Sequence, residues 1–277
     1  MNLGLNPHWG SLINDWRVGD WTNFAVNQGF ECLEFTVDFR MQKKGLNLIF
    51  DKKVINAIKN ARRRGLKFHV ATEPYNSALC HYRSRGREEG IKQLTQILKF
   101  LDNILQPRFT LLYPGSGRRE VKSTLDWLME SYQRLLEGFP RLRLGLLVGE
   151  EGNCLKTPEE IWRMISRFRT IDLALDIGWA FLTFGDDPAA LGSLFQAMKD
   201  NLSEIHWHNF LYQPLRRRLP LGRGYLRESH YLKILSFLPP KRVIWHILDY
   251  RDRTRKDYLL DKLTLEELSF RASRLPR

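Results

Sequence analysis

Short runs rich in Leu, Ile, Val and Phe recur along the chain, separated by longer stretches whose apolar positions fall three and four apart. The short runs are bounded by Gly, Pro or charged residues and predict strands buried on both faces. They cover residues 3–7, 31–35, 67–72, 109–113, 142–149, 171–176, 204–209 and 242–248. The stretch near residues 88–105 carries the helical period, with Ile91, Leu94, Leu98, Leu101 and Leu105 along one face. Several helix ends are written into the residues between. Asp51 caps a helix that runs to Arg64 and stops at Gly65. Thr157-Pro158-Glu159-Glu160 sets a cap residue, then a proline at the first helical position and a glutamate at the third. Asp187-Pro188 repeats that logic before residues 189–199, Asp20 and Gly29 bracket a shorter helix, and a last helix follows Thr264.

Strict alternation of strand and helix predicts a parallel sheet. Eight units predict its closure into one (β/α)8 barrel over residues 1–277, with an open doubly wound sheet as the alternative. The first strand leads into Asn6-Pro7-His8-Trp9 rather than a glycine-rich turn, which argues against a dinucleotide fold. A chain of 277 residues, 43% of them hydrophobic, holds enough apolar surface for one full core. No apolar run approaches the roughly 20 residues that span a bilayer. The first residues lack a basic-then-apolar leader pattern, so a cytoplasmic protein without membrane partners is expected. Cys32, Cys80 and Cys154 are far apart and predict free thiols in a reducing compartment.

In a barrel of this kind the chemistry sits at the C-terminal ends of the strands. The segment Ser203-Glu204-Ile205-His206-Trp207-His208-Asn209-Phe210 reads as such a strand end, with His206 and His208 projecting to the same side. Leu219-Pro220-Leu221-Gly222-Arg223-Gly224 follows it. These two segments combine with Phe30-Glu31-Cys32-Leu33-Glu34-Phe35, Tyr113-Pro114-Gly115 and Leu175-Asp176-Ile177-Gly178-Trp179-Ala180 into an ordered set spread over nearly the whole chain. The set resembles the xylose isomerase-like TIM barrels, a superfamily of sugar isomerases, ketose 3-epimerases and AP endonucleases of family 2.

The resemblance implies metal ligands at strand ends. They fall on Glu150 (with Glu151 one residue on), Asp176, His206 and His246, the last where the family has a glutamate. Such a set binds one divalent ion such as Mn, Fe, Co or Zn. Glu150 would then be the catalytic base, with His246 second, moving a proton through an enediolate. Trp179, His208, Asn209, Arg218 and Arg223 become candidate substrate contacts, and Glu34 an internal hydrogen-bond or ion-pair partner. Thr72, Tyr113, Trp179 and Asn209 replace three histidines and an aspartate of the multi-zinc endonuclease site, which disfavours that chemistry.

Charge sharpens the substrate expectation. Lysine and arginine number 44 against 31 acidic residues, a net charge of +13. Loops expected to follow strands carry Lys43, Lys44, Arg83, Arg85, Arg87, Arg118, Arg119, Arg216, Arg217, Arg218, Arg223, Arg251, Arg253 and Arg255, while Arg62-Arg63-Arg64 falls on the other face. Guanidinium forks suit phosphate and carboxylate. The expected function is an isomerase or epimerase acting on a small polyhydroxylated, anionic (phosphorylated) substrate, with one divalent ion. The alternatives are a phosphodiesterase or nucleic-acid enzyme of the endonuclease type, and a metal-free barrel that binds a ligand without turnover.

Overall fold

The computed structural model describes residues 1–7, 18–37, 52–72, 79–81, 83–115, 124–148, 154–210, 218–239, 243–250 and 255–274. Eight strands are present: β1 (Asn2–Asn6), β2 (Cys32–Val37), β3 (Lys67–Thr72), β4 (Phe109–Leu112), β5 (Leu144–Val148), β6 (Asp172–Asp176), β7 (Leu202–Trp207) and β8 (Trp245–Asp249). They pair in chain order, all parallel, and β1 closes on β8 to complete the barrel. The helices among the described residues are α1 (Val18–Asn27), α2 (Lys52–Arg63), α3 (Ser84–Phe100), α4 (Thr124–Gly138), α5 (Pro158–Arg167), α6 (Ile177–Phe184), α7 (Pro188–Met198), α8 (Glu228–Phe237) and α9 (Lys256–Ala272).

Local chemistry explains most of the boundaries. Thr157 and Glu160 cap α5 reciprocally, and Asp187 accepts from Ala189 and Ala190 at the head of α7. Gly65 takes φ +90 just past α2, a left-handed position that a side chain would strain; Asp51 lies outside the described residues. α9 begins earlier than Thr264 because that hydroxyl donates back to the Leu260 carbonyl from inside the helix and caps nothing. α3 ends in a π-turn, Leu101–Leu105, closed by Gln106 at φ 43. The Arg62 guanidinium covers the Leu105 and Gln106 carbonyls left open there.

Two apolar compartments follow from strand alternation. One lies between strands and helices and includes Leu5, Leu33, Val70, Leu112, Ile205 and Trp207. The other fills the barrel: Ala71, Phe109, Leu111, Tyr113, Leu147 and Ala174 on one side, Cys32, Trp245 and Ile247 on the other. Gly145 is required there, because a Cβ at that position would run into the Phe109 ring. At the seam, β1 and β8 are in register from Asn2 opposite Trp245 to Asn6 opposite Asp249. The Tyr258 hydroxyl of α9 reaches the carbonyls of Asn6 and Tyr250 across that seam.

Positive charge is not confined to the C-terminal face. Arg62, Lys67, Arg108, Arg141 and Arg143, with Asp102, line a cleft of about 720 Å³ at the opposite end of β3, β4 and β5. No helix among the described residues is long and apolar enough to cross a membrane. Cys32, Cys80 and Cys154 are free and buried.

Candidate active site at the barrel mouth

β7 presents Glu204 and His206 to the barrel interior, because Ile205 and Trp207 take the alternate positions against the helices. His208 follows on the same side and ends the row at the mouth. β8 alternates likewise. Trp245 and Ile247 pack in the interior and Asp249 follows them, whereas His246 points between strands and helices. There His246 stacks on Trp207 at 5.7 Å and accepts a hydrogen bond from the indole at 3.0 Å.

The interior row forms an unbroken polar chain. Glu204 pairs with His69 of β3 below and lies 2.9 Å from His206 Nε2. The other ring nitrogen of His206 is 2.9 Å from Asp249 Oδ2. Asp249 Oδ2 also accepts from Arg218 Nη1 at 2.5 Å, and Arg218 Nη2 donates to Asp176 Oδ2 at 3.1 Å. Asp176 Oδ1 lies 2.6 Å from His208 Nε2 and accepts from the Trp179 backbone N–H, capping α6. Glu34 joins from β2: its Oε1 accepts from Asn6 at 2.6 Å and its Oε2 is 3.5 Å from His206 Nε2. A Cβ on Gly178 would strike the His208 ring, so glycine at the first turn of α6 lets that imidazole sit over Asp176.

Burial and neighbours set the charges. Glu34 is wholly buried and its carboxyl is pushed up to about 8; desolvation is the main cause, only partly countered by His206. Burial works against a charged His206, but Glu34 and hydrogen bonds to Asp249, Glu204 and Glu34 overcome it, and the imidazolium persists well above its usual range. Burial likewise opposes charge on Glu204, yet His69 and His206 hold it down to about 2. Asp176 is lowered despite burial because His208 and Arg218 face it. Arg218 is raised, Asp249 and Tyr113 outweighing its desolvation. His246, with no carboxylate partner, is lowered by burial to about 3.

The structure therefore brings together Asp176, His206, His208 and Arg218 among the expected site residues, and sets His246 apart from them. His246 is on the outer face of β8, and the strand-end acid facing the barrel is Asp249, three residues on. Glu150 lies outside the described residues. Asn209 is wholly buried and holds the following loop. Its amide donates to the Leu221 and Leu226 carbonyls, each at 2.8 Å, its Oδ1 accepts from the Phe210 and Leu226 N–H groups, and its backbone pairs with Leu219. Gly224 is needed beside it, since a Cβ there would meet the Asn209 amide oxygen. Arg223 is exposed and paired with Asp257 at 2.9 Å. Trp179 is half-buried on the first turn of α6. Of the other described rim arginines, Arg87 lies over Trp127 and Arg255 over Trp21. Glu204, Asp249 and His69 were not among the expected residues; the i, i+2, i+4 row with His206 and His208 was a signal for Glu204 alone.

Among the described residues a divalent ion has two addresses to test. Ligand atoms of Glu34, Glu204 and His206 lie within 4.8 Å of one another, close enough to share an ion. All three side chains are wholly buried and His206 is already engaged at both nitrogens, so an ion there would have no position open to water or substrate. At the mouth the donors Asp176 and Asp249 are bridged by a guanidinium. A second cation placed between them would meet like-charge repulsion from that guanidinium.

Solved structures with this fold are numerous. A D-tagatose 3-epimerase-like protein superposes with a TM-score of 0.74 at 15% identity, covering 99% of this chain and 98% of the other. Endonuclease IV from Thermus thermophilus gives 0.70 at 16%, covering 96% and 100%. A 3-keto-D-glucoside 4-epimerase from E. coli gives 0.64 at 16%, covering 98% and 99%. No functionally curated protein matches the sequence. Residues 23–257 match the xylose isomerase-like TIM barrel family, and with the closed eight-stranded barrel and its strand-end polar cluster already in place, the chain belongs to that family.

Proposed function

We propose that the barrel mouth carries out an isomerase- or epimerase-type proton transfer on a small polyhydroxylated compound bearing a carbonyl. One observation carries this reading: a proton-rich relay of Glu34, His206 and Asp249 ends at the mouth, with Glu34 pushed up to about 8. Moving a proton at a carbon beside a carbonyl needs a base and an acid that exchange roles near neutrality. Asp249 is placed to take that proton and His206, hydrogen-bonded to it, to return one. Arg218, 17% exposed, sets a fixed positive charge near the negative charge that develops on the carbonyl oxygen. Trp179 offers a ring for the sugar to pack on. The epimerases among the similar structures favour the same chemistry.

The reading does not require a phosphate: Arg87, Arg218, Arg223 and Arg255 are engaged within the fold, while Lys43, Lys44, Arg118, Arg119, Arg216, Arg217, Arg251 and Arg253 lie outside the described residues. The test is a panel of ketoses and their phosphate esters in deuterium oxide, followed by proton NMR. Exchange at the carbon beside the carbonyl is expected, slowed about 100-fold in Asp249→Asn. Exchange of the esters alone would restore the anionic expectation. No exchange, together with cutting of DNA that carries an abasic site, would replace this reading with an endonuclease one.

A further inference from the structure

The two strand-end aspartates of the mouth are held by one guanidinium. Arg218 Nη1 is 2.5 Å from Asp249 Oδ2 and Nη2 is 3.1 Å from Asp176 Oδ2. Both carboxylates are wholly buried and the arginine is 17% exposed, so little water shares the pair. Two carboxylates withdrawn from water need an opposite charge between them. A planar fork answers two acids at once, which a point charge does less well.

The arginine is also delivered with care. It directly precedes Leu219, whose N–H and carbonyl both pair with Asn209 at 2.8 Å. The Asn209 amide then ties down Leu221 and Leu226. The segment that carries Arg218 is thus anchored to the end of β7, and the amide at position 209, in place of an acid, does the anchoring.

We propose that Arg218 is the resident cation of the mouth, standing where the family resemblance puts a divalent ion, and that the mouth works without a metal. An ion between Asp176 and Asp249 would have to displace the guanidinium or share its place against like-charge repulsion. His206, the expected imidazole ligand, is closed to it, each ring nitrogen facing a carboxylate. The proposal rests on the mouth being the reaction site. Its test reads ion binding rather than turnover, so the two can fail separately.

The experiment titrates metal-free protein with Co²⁺, following visible absorption, bound metal after gel filtration and thermal melting. Wild type is expected to take up no cobalt that Asp176→Asn abolishes. Arg218→Ala opens the place of the cation and is expected to gain one equivalent, with a tetrahedral or five-coordinate spectrum and a melting temperature that rises with cobalt. The double variant Arg218→Ala/Asp176→Asn should lose both. Cobalt bound by wild type and lost in Glu34→Gln, but kept in Asp176→Asn, lies in the inner cluster and leaves the mouth to Arg218. Stoichiometric cobalt in wild type that Asp176→Asn removes overturns the proposal, as does a folded Arg218→Ala that binds none. Should Arg218→Ala fail to fold by circular dichroism, the wild-type and Asp176→Asn titrations decide alone. A metal-free mouth that exchanges no substrate proton retires the proposed function and leaves the cation in place.

Discussion

An aspartate at position 209 accepts hydrogen bonds and donates none. The site occupied by Asn209 needs both, with two carbonyls to satisfy on one side and two N–H groups on the other. That is why an amide stands where the family pattern keeps an acid. Asn209→Asp should take the amide donor from the buried Leu221 and Leu226 carbonyls, leaving Leu221 only the Tyr231 hydroxyl beside a new charge, and cost about 2–4 kcal/mol. Urea unfolding measures it, and an unchanged midpoint would return Asn209 to the role of a substrate contact. At this scale the sequence was half legible. The spacing of His206 and His208 predicted that they share a side, and they do, but nothing in the residues revealed that His208 would turn onto Asp176 and His206 onto two carboxylates. Glu204 lies on β7 itself, but Asp176 and Asp249 arrive from β6 and β8 and meet these imidazoles only once the strands pair.

At the scale of the element, β8 shows how a strand reading goes astray. Its core was visible as an apolar run, but its end was set one residue short of Asp249. An odd offset along a strand changes the face. His246 and Asp249 are three apart, so assigning the site to one assigns it away from the other. The imidazole sits in the apolar layer with Trp207, and the acid faces Arg218 and His206. His246→Ala is expected to lower stability by about 2 kcal/mol through lost packing and an unpaired indole N–H, with kcat unchanged. Asp249→Asn should do the reverse in turnover, with a loss of about 100-fold. Measuring kcat and the unfolding midpoint of both variants separates the two faces, and a kcat loss in His246→Ala would move the site outward. The helices were more legible than the strand ends: capping residues act within one turn, as at Thr157 and Asp187, whereas a strand's end is decided by its neighbours.

For the whole molecule, the row from His69 to His208 makes stability depend on pH in a definite sense. Between about 4.5 and about 8 the folded protein keeps a proton on Glu34 that the unfolded chain has released. Stability from this group therefore falls as pH rises through that window, and His206 adds the same sign above its ordinary 6.5. Glu204, held to about 2, has the opposite sign: its contribution is complete above 4.5 and is lost as pH falls below that. Urea midpoints across the range should pass through a maximum in weak acid. Glu34→Gln should flatten the fall above it by up to about 1 kcal/mol per pH unit. A wild-type profile that rises toward pH 8 would contradict the buried protonated carboxyl. The barrel itself was read correctly from alternation, because strict strand–helix succession admits few arrangements. Net charge is less local than alternation: among the described residues, arginines line the cleft at the far end of the barrel and also lie over tryptophans at the rim.

The seam between β1 and β8, bridged by Tyr258, has a bearing on how the protein is made. β1 pairs with β8, the last made of the eight strands, and is then secured by the helix after it. Asn6 finds Glu34 and Thr36 early, but until β8 emerges Asp249 is missing, so Arg218 and His206 lack their shared acid. A nascent barrel that still lacks β8 holds Glu34 and Glu204 with His206 short of one carboxylate. The polar row at the mouth is complete only when β8 closes on β1.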